Sequence, residues 1–144
     1  MTPSQASPAS DGRYRQRRVH YVEDNETNVV LMRGMLAQRP QIALSVSTMG
    51  LDALAAVRIE RPDLLLLDMH LPDIDGLDLL THLKADDGTA GIPVIVLSAD
   101  ATPERVARAL DAGAEAYLPK PLNLAELLQH VDALLEQGDT VWSE

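Results

Sequence analysis

The 144-residue chain has a formal net charge of −10 and contains neither cysteine nor phenylalanine. This length suits one domain around a single aliphatic core, and the absence of thiols excludes a disulfide framework or a thiolate metal site. The acidity opposes phosphate-backbone binding, no apolar run nears the ~18 residues of a membrane span, and no signal-peptide stretch is present. The sequence predicts a cytoplasmic protein with no direct nucleic-acid or membrane partner.

Residues 1–16 are Ser-, Pro-, Ala- and Gly-rich without apolar period, and are predicted to be a disordered tail. Arg13, Arg15, Arg17 and Arg18 then gather into what reads as a solvated basic entry to the first strand, Val19 to Val22. That strand runs into Glu23-Asp24-Asn25 and a helix with Val29, Met32, Met35 and Leu36 at helical spacing. Alternation from Ile42 to Val46 predicts a second strand, and a helix from about Leu51 stops at Pro62. Leu64 to Leu67, fenced by Pro62 and Pro72, is shorter than the ~10–12 residues of a helix and reads as a buried strand, which leaves Asp68 at its carboxyl end. Asp73-Ile74-Asp75-Gly76 is turn chemistry before a helix bearing Leu79, Leu80 and Leu83. Pro93 to Leu97 is another apolar strand, closed by Ser98. Thr102 and Pro103 then open a helix whose apolar face is thin, comprising Val106, Ala109 and Leu110. Gly113 ends it, Ala116 to Leu118 forms a short fifth strand, Pro119-Lys120-Pro121 is a rigid turn, and the last helix carries Leu124, Leu127, Leu128, Val131 and Leu135. The domain is placed at 17–137, with 138–144 a C-terminal tail too short for an output domain.

Alternating strands and helices, two of the strands apolar throughout, describe an α/β domain with a parallel sheet covered on both faces. In open sheets of this class ligands bind outside the carboxyl ends of the strands. A central first strand would bring Asp24, Asp68, Ser98 and Lys120 to one such edge. Singly, Asp24 could cap a helix, Asp68 or Ser98 could start a turn, and Lys120 could be solvated. His20, His82 and His130 read as structural or surface residues.

In four fragments, Val22-Glu23-Asp24-Asn25, Leu67 to Gly76, Val96-Leu97-Ser98-Ala99 and Tyr117-Leu118-Pro119-Lys120-Pro121, the chain resembles the receiver domain of two-component response regulators. The resemblance spans about Arg17 to Gln137. It implies a flavodoxin-like (βα)5 three-layer sandwich with strand order 2-1-3-4-5. It implies that Asp68 accepts a phosphoryl group, that Mg2+ is held by Asp24, Asp68 and the backbone carbonyl of His70 with Glu23 acting through water, and that Ser98 and Lys120 bind phosphoryl oxygens. It further implies a cis Lys120-Pro121 bond and a switch through Ser98 and Tyr117 on the surface of the fourth helix, fifth strand and fifth helix. The expected partners are a sensor histidine kinase or histidine phosphotransfer protein and a downstream protein target. The only chemistry expected is the chain's own phosphorylation and dephosphorylation.

Glu115-Ala116 and the pair His130 and Asp132 depart from the acidic and arginine residues through which one subfamily dimerises, so a monomer or weak dimer is expected. The chain resembles a single-domain receiver or one from a hybrid kinase. The competing reading is an Mg2+-dependent phosphatase-like hydrolase with an aspartyl nucleophile. Such enzymes carry a second Asp two residues on, where this chain has His70.

Overall fold

The computed structural model, which describes residues 16–143, places the Leu64 to Leu67 run in the middle strand of a five-stranded parallel sheet. In chain order the elements are β1 (Arg17–Val22), α1 (Glu26–Leu36), β2 (Ile42–Ser47), α2 (Gly50–Glu60), β3 (Leu64–Asp68), α3 (Gly76–Ala85), β4 (Val94–Ser98), α4 (Pro103–Asp111), β5 (Ala116–Pro119) and α5 (Leu124–Ser143). The sheet order is β2-β1-β3-β4-β5, as expected. Every residue of β3 and β4 is buried, which requires helices on both faces.

Side chains alternate across the strands, so each apolar strand feeds two separate cores. Leu64, Leu66, Ile95 and Leu97 pack with Met32 and Leu36 of α1 and Leu127, Val131 and Leu135 of α5. Leu65, Leu67, Val94 and Val96 pack with Ala53 and Val57 of α2, Leu79, Leu80 and Leu83 of α3, and Ala109 of α4. Each such leucine contributes roughly 1.5–3 kcal/mol by leaving water. The register aligns Val22 with Leu67, Asp68 with Leu97 and Ser98 with Pro119, so the strands finish nearly level at their carboxyl ends.

Two local expectations change. Arg17 is buried within β1 rather than solvated, because the strand starts two residues earlier than its apolar run and pairs Arg17 with Ile42. Arg18 does stay exposed: its backbone N–H donates to Asp63 Oδ2 at 2.8 Å and its Nη1 to the Glu60 carbonyl at 2.7 Å. Lastly, α5 continues over 138–143, which reads from sequence as tail; a lone glycine costs a helix only ~1 kcal/mol. The predicted N-terminal tail, apart from residue 16, lies outside the described residues, as do Arg13 and Arg15.

Candidate functional site

The sheet ladder carries one residue past β1, where the Glu23 N–H donates to the Ser47 carbonyl at 2.9 Å. That bond turns the Glu23 side chain into the interior. Its Oε1 accepts from the Tyr21 hydroxyl at 2.8 Å and from Lys120 Nζ at 3.0 Å, and its Oε2 accepts from the Asn25 N–H at 3.2 Å. Asn25, not Asp24, caps α1, accepting from the Asn28 N–H at 3.0 Å. Asp24 is therefore left exposed beside the pocket, and one carboxylate oxygen each of Glu23, Asp24 and Asp68 lie within 4.8 Å of one another.

Asp68 ends β3 almost wholly buried, and the nearby backbone N–H of exposed His70 favours its ionised form. Lys120 reaches it from across the sheet, Nζ lying 3.2 Å from Asp68 Oδ1. The lysine backbone is fixed by its N–H on the Ser98 carbonyl at 2.9 Å, and the Lys120-Pro121 bond that follows is cis, as the resemblance implied. Burial pushes the Asp68 carboxyl above its ordinary range, opposed by the Lys120 charge and reinforced by that of Glu23. Burial would also raise Glu23, but the hydrogen bonds from Lys120 and Tyr21 outweigh it and hold that carboxyl low. Desolvation works against the Lys120 ammonium, yet the bond to Glu23 and the Asp68 charge raise it on balance. One cation thus serves two buried carboxylates, and the ordinary way to relieve the second is another cation.

Ser98, fully buried at the end of β4, accepts from the Asp100 N–H at 3.1 Å. This is the local serine turn that the residue type allows, and it leaves the hydroxyl hydrogen available. The Tyr117 hydroxyl, from β5, donates to the carbonyl of the same Asp100. Ser98 and Tyr117 therefore meet at a shared neighbour.

Residues 19–132 match the family model of the response regulator receiver domain. This chain belongs to that family. It is 36% identical over 117 residues to the polar-differentiation response regulator DivK of Brucella anthropi, covering 81% of this chain and 94% of that protein. It is 38% identical over 122 residues to the transcriptional regulatory protein PrrA of Mycobacterium tuberculosis, covering 84% of this chain but 51% of PrrA. Among solved structures, the receiver domain of the sensor histidine kinase PA1611 from Pseudomonas aeruginosa, which has a magnesium ion in its active-site cleft, superposes with a TM-score of 0.76 at 27% identity over 84% of this chain and 98% of that one. The CheY-like receiver domain protein of Methanospirillum hungatei gives 0.78 at 26% identity over 87% and 98%.

The receiver's all-oxygen donor set suits a hard divalent cation such as Mg2+, which favours one or two carboxylates plus phosphate and water. Receiver domains act as phosphoacceptors rather than on external substrates and work with histidine kinases and downstream effectors, so the hydrolase reading is not favoured. Among the described residues no helix is long and apolar enough to cross a membrane. Two participants escaped the sequence reading. Tyr21 could have been suspected, because a strand residue two before Glu23 shares its face; Asp100 as the meeting point of Ser98 and Tyr117 had no sequence signal.

Proposed function

We propose that Asp68 is the phosphoacceptor of this receiver, and the observation carrying the reading is the Lys120 ammonium held between Glu23 and Asp68. A carboxylate oxygen of Asp68 attacks the phosphorus of a phosphohistidine presented by a histidine kinase or phosphotransfer protein. The O–P bond forms as the P–N bond breaks, and its electron pair returns to the donor imidazole. Asp24, Asp68 and the His70 carbonyl would ligate Mg2+. Glu23, both of whose oxygens are already engaged within the protein, would act through water. When bound, the ion supplies charge neutralisation at the transferring oxygens, and Lys120 and Ser98 supply donors to two of them.

The new oxygens recruit the Ser98 hydroxyl, and the change passes through Asp100 to Tyr117 and the α4-β5-α5 surface, where a downstream protein binds. The Asp132 carboxylate is held within the chain by Arg39 at 2.9 and 2.7 Å, which fits a monomer or weak dimer. The lack of cysteine fits a cytoplasmic location.

Incubation with a small phosphodonor and Mg2+, borohydride trapping and peptide mapping is expected to mark Asp68 alone. Label at wild-type level in Asp68→Asn overturns the reading.

A further inference from the structure

The N-terminus of α2 is capped from a distance. Its N-cap residue, Met49, has no side-chain acceptor, so the first N–H groups of the helix need oxygens from elsewhere. Asp73, in the loop between β3 and α3, supplies both: Oδ1 accepts from the Gly50 N–H and Oδ2 from the Leu51 N–H, each at 2.8 Å. The Leu51 and Gly50 amides hold the Asp73 carboxyl below its ordinary range, so it stays charged at neutral pH.

Gly50 makes the approach possible. A Cβ there would sit 2.2 Å from Ile74 Cγ2, 3.3 Å from Leu71 Cδ1 and 3.4 Å from Asp73 Oδ1, so three loop residues rest on one bare backbone position. The base of the same loop is closed separately, by the Gly76 N–H on the Met69 carbonyl at 3.1 Å. A Cβ on Gly76 would meet Met69 Cα at 2.6 Å, so that closure also needs glycine. His70 lies between the closed base and the clamp, two residues past Asp68.

We propose that Asp73 is a positioning residue for the metal and phosphoacceptor site: by clamping the loop onto α2 it holds the His70 peptide against Asp68 and sets the affinity for a divalent cation. This rests on the reading of Asp68 and Asp24 as the metal site. Residues that orient metal ligands without touching the ion typically change affinity 10–100-fold when lost.

Calorimetric titration of the full chain with Mg2+ tests it, beside amide exchange of the metal-free protein. Asp73→Ala is expected to bind Mg2+ about tenfold more weakly and to exchange the His70 amide faster. Met49→Ser in the Asp73→Ala background restores a local cap to α2 without tying down the loop. That double variant is expected to regain melting temperature while Mg2+ binding stays weak. Wild-type affinity in Asp73→Ala, or recovery of affinity in the double variant, reduces Asp73 to a helix cap and overturns the proposal. Asp24→Ala is titrated alongside: a wild type that binds no better than this variant overturns the site reading and the proposal together, whereas a clear difference between those two with Asp73→Ala unchanged overturns only the positioning role.

Discussion

Helix α3 follows the five-residue strand β3, helix α4 follows the five-residue strand β4, and both strands are buried throughout. The helices are nonetheless held by different physics. α3 sinks Gly76, Leu79, Leu80 and Leu83 into the core, and its C-terminal end is fastened by Thr89 Oγ1 on the Leu83 carbonyl at 2.6 Å and by Lys84 Nζ on the carbonyls of Ala90 and Ile92. α4 buries Ala109 alone, leaves Leu110 45% exposed, and starts at a Thr102 whose side chain makes no capping bond. What fastens α4 converges on Asp100: its Oδ1 accepts from the Thr102 N–H at 3.3 Å, its Oδ2 lies 3.5 Å from Arg105 Nε, and its carbonyl takes the Tyr117 hydroxyl. Apolar burial is non-directional and insensitive to a new charge nearby, whereas a polar hub bonded to Ser98 responds when Ser98 changes partner. The helix after β3 is therefore held by apolar burial, and the helix after β4 mainly by polar bonds to one loop residue.

The largest expected effect that sharpens this contrast is on stability. Leu80→Ala empties a fully buried site and is expected to cost about 3 kcal/mol in urea unfolding, while Leu110→Ala, half-exposed on α4, is expected to cost under about 1 kcal/mol. Equal losses break the comparison. Next, Tyr117→Phe deletes the hydroxyl on Asp100 and is expected to cost about 1 kcal/mol. Its amide exchange should quicken across α4 and stay unchanged across α3; a uniform change would mean that Asp100 is no local hub.

A smaller effect separates the two strand ends. The folded-state pKa of Asp68 is raised, so its contribution to stability is fully present below the ordinary value of 3.8 and is lost as pH rises through the folded-state value. Metal-free wild type should therefore melt increasingly below Asp68→Asn as pH climbs from about 4 towards neutrality. Ser98→Ala, which removes no charge, should show no such pH-dependent gap. Added Mg2+ should raise the wild-type melting temperature and leave that of Asp68→Asn nearly unchanged. Parallel pH curves for wild type and Asp68→Asn would contradict the strained carboxylate at the end of β3.

The sequence alone determined the alternation of elements, because each signal lies within a few residues: four leucines between prolines, the Leu79, Leu80 and Leu83 stripe, Pro103 after Thr102. It also determined the receiver family, because Glu23-Asp24, Asp68, Ser98 and Lys120 fall at successive strand ends, and even the thin face of α4 was legible. Which partner each polar group takes was not. His20 reads as a structural or surface residue, and only the fold shows it buried with both ring nitrogens 2.7 Å from serine hydroxyls, those of Ser45 and Ser47. Ser45 in turn donates to Glu60 at 2.7 Å. Arg17 sits in a basic cluster, but strand register turned it inward. Asp73 looks like turn chemistry, and only the packing of its loop over Gly50 made it the cap of a helix that precedes it in the chain. Local periodicity and backbone preferences are written into adjacent residues, whereas hydrogen-bond partners 23 or 97 positions apart, as in Asp73 with Gly50 or Lys120 with Glu23, exist only once the crossovers have brought the strand ends together.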